Sequence, residues 1–145
     1  TPTVLVTLTT SDVTHGFTMF DLNPSVPGHD TVYIVNSFTG RLLKYSFNGT
    51  TWNANGNLAI TGLGQGNVDG IVESGGIRLF ISTGAALGTL FDTSGYGGTI
   101  TGTYSTIASA PANTAFRGLV VVPEPGAWAM LGLGLSALLL FRRKS

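Results

Sequence analysis

The most constraining feature of this chain is its punctuation. Short runs rich in β-branched and aromatic residues (4–9, 17–21, 31–36, 42–47, 57–61, 71–73, 77–82, 89–92 and 119–122) are separated by Gly, Asn, Asp, Ser and Pro. Runs of that length, closed off by turn residues, are the signature of strands. No stretch before residue 126 sustains a helical period. Gly and Pro are frequent, at 21 and 6 residues, yet they stay below the roughly one-quarter share that marks disorder. The body is therefore expected to be all-β and turn-rich.

A weak internal repeat refines this. His15-Gly16-Phe17, Asp69-Gly70-Ile71 and Arg117-Gly118-Leu119 share a polar–Gly–apolar start. After the first two comes a stronger run, 31–36 or 77–82, then a Gly-containing turn and a further run, 42–47 or 89–92. Val32-Tyr33 maps onto Leu79-Phe80 at an offset of 47 residues. Units of about 40–50 residues with several short strands suggest propeller blades of four strands each; a β-sandwich gives a similar spacing.

The fold expectation is an incomplete β-propeller-like array of about two four-stranded blades, followed by one C-terminal transmembrane helix. Residues 15–61 make one blade and 69–108 a second. Residues 117–122 supply the innermost strand of a third, and residues 4–9 the outer strand of a blade before them. Closed propellers need about four to eight blades, and residue 1 is Thr with no charged-plus-apolar leader after it. The expectation is a C-terminal part of a longer secreted precursor, folding here as an open stack of two small sheets with exposed edges.

The second constraint lies at the other end. Residues 127–141 form an uninterrupted apolar run followed by Arg142, Arg143 and Lys144. As a helix the run spans roughly 22 Å against a hydrocarbon core of about 30 Å. Trp128 at one interface and the three cations at the other extend its reach. The run has no polar face, which argues against a buried core helix. Cations at its end place Ser145 in the cytoplasm and residues 1–125 across the membrane.

Directly before the run stands Val122-Pro123-Glu124-Pro125. Its prolines lack backbone donors and favour an extended chain, leaving a stiff peptide outside the membrane surface. Pro-Glu-Pro, apolar run and basic end, in that order at the terminus, resemble a PEP-CTERM sorting signal. The resemblance implies a surface protein of a Gram-negative-type bacterium, recognised by an exosortase that cleaves near the Pro-Glu-Pro element. Pro123, Glu124 and Pro125 match that element, residues 127–141 its helix, and Arg142, Arg143 and Lys144 its membrane stop. The chain thus divides into an exported domain, 1–122, and a sorting signal, 123–145. The stretches 30–37 and 44–52 also resemble blades of β-propellers found in PEP-CTERM surface proteins.

Charge agrees with this division. The chain carries seven basic and seven acidic residues. All seven acids but only Arg41, Lys44, Arg78 and Arg117 precede residue 126, so the body is weakly acidic and the tail strongly basic. Charged residues make up 10% of the chain, against roughly 25% in ordinary soluble domains. Without a clustered basic face, nucleic acid is excluded as a partner. With no Cys there is no thiolate nucleophile or disulfide.

Chemistry-bearing motifs are sparse. His15 and His29 lack ligand spacing and read as solvated loop residues, so no metal and no cofactor is expected. Gly62-Leu-Gly-Gln-Gly-Asn67 lacks the third glycine of a dinucleotide loop and a following helix, and reads as a turn between blades. The segments beginning at Asp21 and Asp92 do not alternate oxygen ligands as a calcium loop does. Asn48-Gly49-Thr50 fits a glycosylation sequon but reads as a tight turn. No catalytic residue emerges. One arrangement follows from the fold expectation alone: His15, Asp69 and Arg117 open the innermost strands and would line a central channel together, although polar strand-start residues commonly pair with nearby loops. Tyr33, Phe38, Tyr45, Phe47 and Trp52 are assigned mostly to inter-blade core.

The function expected is an exported surface protein, processed as an exosortase substrate, with a body acting as a structural or binding module. The resemblance adds an extracellular matrix setting and extracellular polysaccharide as a partner class, after an inner-membrane precursor stage. Two alternatives stand beside it. One is a fragment of a propeller-type hydrolase or lactonase-like enzyme; the other is an uncleaved single-span membrane protein.

Overall fold

The computed structural model describes residues 14–122. These residues are all-β. Eight strands follow in chain order: β1 (Thr14–Phe20), β2 (Thr31–Asn36), β3 (Arg41–Phe47), β4 (Trp52–Ala59), β5 (Asn67–Glu73), β6 (Gly76–Ser82), β7 (Ala86–Asp92) and β8 (Ser105–Ser109). They form two four-stranded sheets, ordered β1-β2-β3-β4 and β5-β6-β7-β8, with every pairing antiparallel. Each sheet is a meander of consecutive strands, and neither borrows a strand from the other. The sequence places both units correctly.

Strand alternation decides which side chains meet between the sheets. In the first sheet Tyr33 pairs Lys44 and Val35 pairs Leu42, so these four share one face. In the second, Val68 pairs Ile81, Leu79 pairs Leu90 and Ile77 pairs Asp92, placing all six together. Those two faces form the core with Phe20, Ile60, Leu63 and Ile100. Phe20 meets Tyr33 edge-on, with ring centroids 5.9 Å apart, a favoured aromatic geometry.

The inner strands touch directly, β1 and β2 lying against β5. This contact explains the repeated glycine. A Cβ on Gly16 would lie 3.0 Å from Asn67 Cα, and one on Gly70 would lie 2.6 Å from Arg78 O and 3.2 Å from the Phe20 ring. Only hydrogen fits at either position without displacing backbone. Further out, the connection 93–104 fills the space between the sheets: Ile100 N–H donates to Asn55 O at 2.9 Å and Tyr96 Oη–H to Phe47 O at 2.6 Å.

Three expectations need adjustment. Residues 117–122 are not a strand; side chains of β5, not a ladder, hold them, and a Cβ on Gly118 would meet nothing within 4 Å. The fourth strand of the first sheet begins at Trp52, not near residue 57, because an edge strand half open to water carries Asn and Gly as readily as apolar residues. Of the five aromatics assigned to the interface, Tyr33 is fully buried, whereas Phe38 is 68% exposed and Phe47 pairs Trp52 across the β3–β4 hairpin with centroids 5.2 Å apart. Residues 62–67, expected as a turn between units, do lie in the connection from β4 to β5, ending where β5 starts. The expected strand 4–9 and the C-terminal helix 127–141 lie outside the described residues.

Candidate functional site

The end of the body is fixed by one carboxylate. Asp69 lies on β5, where Gly70 allows β1 to approach closely, so its side chain stands between an inner strand on one side and the departing chain on the other. Its Oδ1 accepts from Thr18 Oγ1 of β1 at 3.2 Å and from Gly70 N at 2.8 Å, and its Oδ2 accepts from Val121 N at 2.7 Å. Asn67 Nδ2, two residues earlier on the same strand, donates to Arg117 O at 3.5 Å. A charged acceptor for a backbone N–H makes a stronger bond than a neutral one. Thus residues 117–121 are laid against β5, and Val122 beyond them is 76% exposed.

The three residues expected at a channel are therefore arranged differently from a convergent triad. Asp69 and the backbone of Arg117 belong to one cluster, tied through Asn67. His15 sits on neighbouring β1, with Nδ1 2.7 Å from Ser37 Oγ. Among the described residues no hydrogen bond or ion pair joins their three side chains to one another; His15 and Asp69 bond to nearby partners instead, and Arg117 is held through its backbone oxygen.

A second polar cluster escaped sequence reasoning altogether. Lys44 and Asp92 stand on facing sheets, both side chains fully buried, with Nζ and Oδ2 3.0 Å apart. The ammonium also donates to Ser94 Oγ at 2.6 Å and Gly95 O at 2.7 Å, using all three of its donors. Tyr33 Oη donates to Asp92 Oδ2 at 2.6 Å, while Asp92 Oδ1 accepts from Ser94 N, Thr101 N and Thr101 Oγ1 at 3.0–3.1 Å. Burial alone would raise the Asp92 carboxyl, but hydrogen bonds from Tyr33, Ser94 and Lys44 outweigh it and hold the group well below the usual carboxylate range. Burial first, then the bond to Asp92 and its charge, push the Tyr33 phenol far above its ordinary value. Groups so locked in one protonation state hold structure; they do not exchange protons near neutral pH.

Between the outer strands lies a cleft of about 410 Å³, lined among others by Leu58, Ile60, Leu90, Thr103 and Tyr104. Its lining carries hydroxyls and apolar surface but no charged side chain. Among the described residues no three His, Cys, Asp or Glu side chains are grouped to hold a metal. No described helix is long and apolar enough to cross a membrane.

Residues 121–144 match the family model for the PEP-CTERM protein-sorting motif. The sorting signal begins where Asp69 fastens the chain. The matched span takes in Pro123, Glu124 and Pro125 as well as Arg142, Arg143 and Lys144; these residues lie outside the described part of the structure. A motif of this kind supports an exosortase-sorted protein with a membrane-anchored precursor that is exported to the cell surface. Comparison with curated proteins and with solved structures gave no match to the chain.

Proposed function

We propose that this chain is a cell-surface protein of a Gram-negative-type bacterium, delivered by its C-terminal sorting signal, with a β body that serves as a structural or binding module of the extracellular matrix. The motif match at residues 121–144 carries the reading. In it, residues 127–141 span the inner membrane, Arg142, Arg143 and Lys144 hold the cytoplasmic face, and an exosortase-type enzyme cuts near Pro123-Glu124-Pro125. The protein is the substrate in that step. The proposed role of the body is structural or binding and not enzymatic, a reading supported by the buried acid, base and phenol, which bind one another between the sheets.

The body reads as part of a propeller-like array. Shifting by 47 residues carries Tyr33, Val35, Leu42 and Lys44, which face the second sheet, onto Phe80, Ser82, Thr89 and Phe91. The latter lie on the face of the second sheet turned away from the first, as the register requires. The surface that receives a neighbour in one unit is therefore repeated, unused by the first sheet, in the next. Extracellular polysaccharide is the partner class that fits a matrix setting.

The test is a substitution in the sorting element. In a host with the processing enzyme, Glu124→Ala in the complete protein should leave the precursor in the membrane and reduce the surface form at least about tenfold. Undiminished surface delivery would overturn the reading.

A further inference from the structure

The chain contains two Asn-Gly dipeptides, Asn48-Gly49 and Asn55-Gly56. In sequence they are chemically alike, since glycine leaves the following amide nitrogen unobstructed in both. The fold holds them in opposite ways.

Asn48 opens the turn between β3 and β4, where Asn48, Gly49 and Thr50 are all exposed. Its backbone N–H donates to Thr51 O at 3.1 Å. Its side-chain Oδ1 accepts from Thr50 N and Thr51 N, each at 2.9 Å. Two backbone donors thus point at the oxygen on which negative charge develops when the side-chain carbon is attacked, the arrangement that stabilises a tetrahedral oxyanion. Gly49 has φ of +94° and nothing within 4 Å of where a Cβ would stand.

Asn55 lies inside β4. Its Nδ2 donates to Gly97 O at 2.7 Å, so the leaving amide is tied down, and its backbone O accepts from Ile100 N at 2.9 Å. Its Oδ1 is buried without a hydrogen-bond donor, so charge developing there would be unsupported. A Cβ on Gly56 would meet Thr99 Cγ2 at 2.8 Å, a measure of how closely the connection 93–104 covers this peptide.

We propose that Asn48 is a self-modification site of the folded protein, converting to aspartate and isoaspartate while Asn55 is protected. The Gly49 backbone nitrogen attacks Asn48 Cγ and gives its proton to solvent base. The Cγ–Nδ2 bond breaks, the nitrogen takes a proton from water, and ammonia leaves. Water then opens the resulting five-membered imide at either carbonyl, leaving a carboxylate and either an aspartyl or an isoaspartyl linkage to Gly49. The turn gains one negative charge, and the isoaspartate form places an extra methylene in the main chain between β3 and edge strand β4.

The test uses the full chain in detergent, incubated in mildly alkaline buffer with and without denaturant, followed by peptide mapping by mass spectrometry. In the folded protein conversion at Asn48 is at least about tenfold faster than at Asn55, a difference of about 1.4 kcal/mol in barrier. In denaturant the two rates come within about threefold of each other, because only the fold distinguishes them. Asn48→Gln removes the fast signal, since the longer side chain would have to close a six-membered ring. Equal rates in the folded protein, a faster Asn55, or a silent Asn48 beside a reactive denatured control would each overturn the proposal.

Discussion

Lys44 of β3 and Asp92 of β7 lie 3.0 Å apart, fully buried, as an ion pair joining two sheets that share no strand. A buried pair of this kind adds little stability compared with apolar residues of the same volume, but removing one partner leaves an uncompensated charge. Lys44→Met should therefore destabilise the protein by about 3–5 kcal/mol in urea unfolding. Adding Asp92→Leu should recover much of that loss. By contrast, Glu73→Gln, which breaks the one-third-exposed pair of Arg78 with Glu73, should cost no more than about 1 kcal/mol. Comparable losses from Lys44→Met and Glu73→Gln would contradict the assignment.

The same cluster sets a pH window. Because the folded Asp92 carboxyl is held below its ordinary range, the unfolded chain takes up the proton first as pH falls. Its contribution is complete above about pH 4 and is lost progressively below it. Tyr33 has the opposite sign: its folded phenol is raised, so its contribution is complete below about pH 10 and declines above. Urea midpoints measured against pH should thus show an acid limb that is shallower in Asp92→Asn and an alkaline limb that is shallower in Tyr33→Phe. Limbs unchanged in both variants would remove these two groups as the cause.

The repeated glycine carries a position-specific prediction. Gly70→Ala forces a Cβ against Arg78 O and the Phe20 ring, and should cost about 1–3 kcal/mol by overpacking. Gly118→Ala meets nothing and should stay within about 0.5 kcal/mol of the parent. Thermal unfolding of the two variants decides this, and equal shifts would mean that the glycines do not mark the contact between inner strands.

How far the sequence reveals the fold depends on what each residue reports. Thr31–Asn36 is a run of β-branched and aromatic residues buried on both faces, so local composition alone marks its bounds. Trp52–Ala59 is an edge strand written in Asn, Gly and Ala; its pairing with β3, not its composition, makes it a strand. The sorting signal is legible because its parts act through their order along the chain. The Lys44–Asp92 pair is not, because nothing local distinguishes Lys44 from a surface lysine in an alternating strand. Its partner is 48 residues away, and only the packing of two sheets brings them together. Asp69 is intermediate: its place in the repeat singled it out, while its partner, the Val121 amide, depends on how the chain leaves the second sheet.

Asp69 yields a local prediction that does not require global unfolding. Asp69→Ala removes the acceptor of the Val121 N–H, 2.7 Å away in the parent. Hydrogen exchange at Val121 should accelerate at least about tenfold, equivalent to the loss of roughly 1.5 kcal/mol of a charge-assisted bond. Amides of β6 should be unaffected. Unchanged exchange at Val121 would show that another contact holds the start of the sorting segment.

The most direct test of the account is the mass of the surface form. Protein recovered from the outside of cells that hold the processing enzyme should end at or near Pro123-Glu124-Pro125 and lack Arg142, Arg143 and Lys144, whereas the membrane fraction should contain a precursor that retains them. A surface form carrying the intact C-terminus through Ser145 would contradict processing and leave a permanently anchored protein in its place.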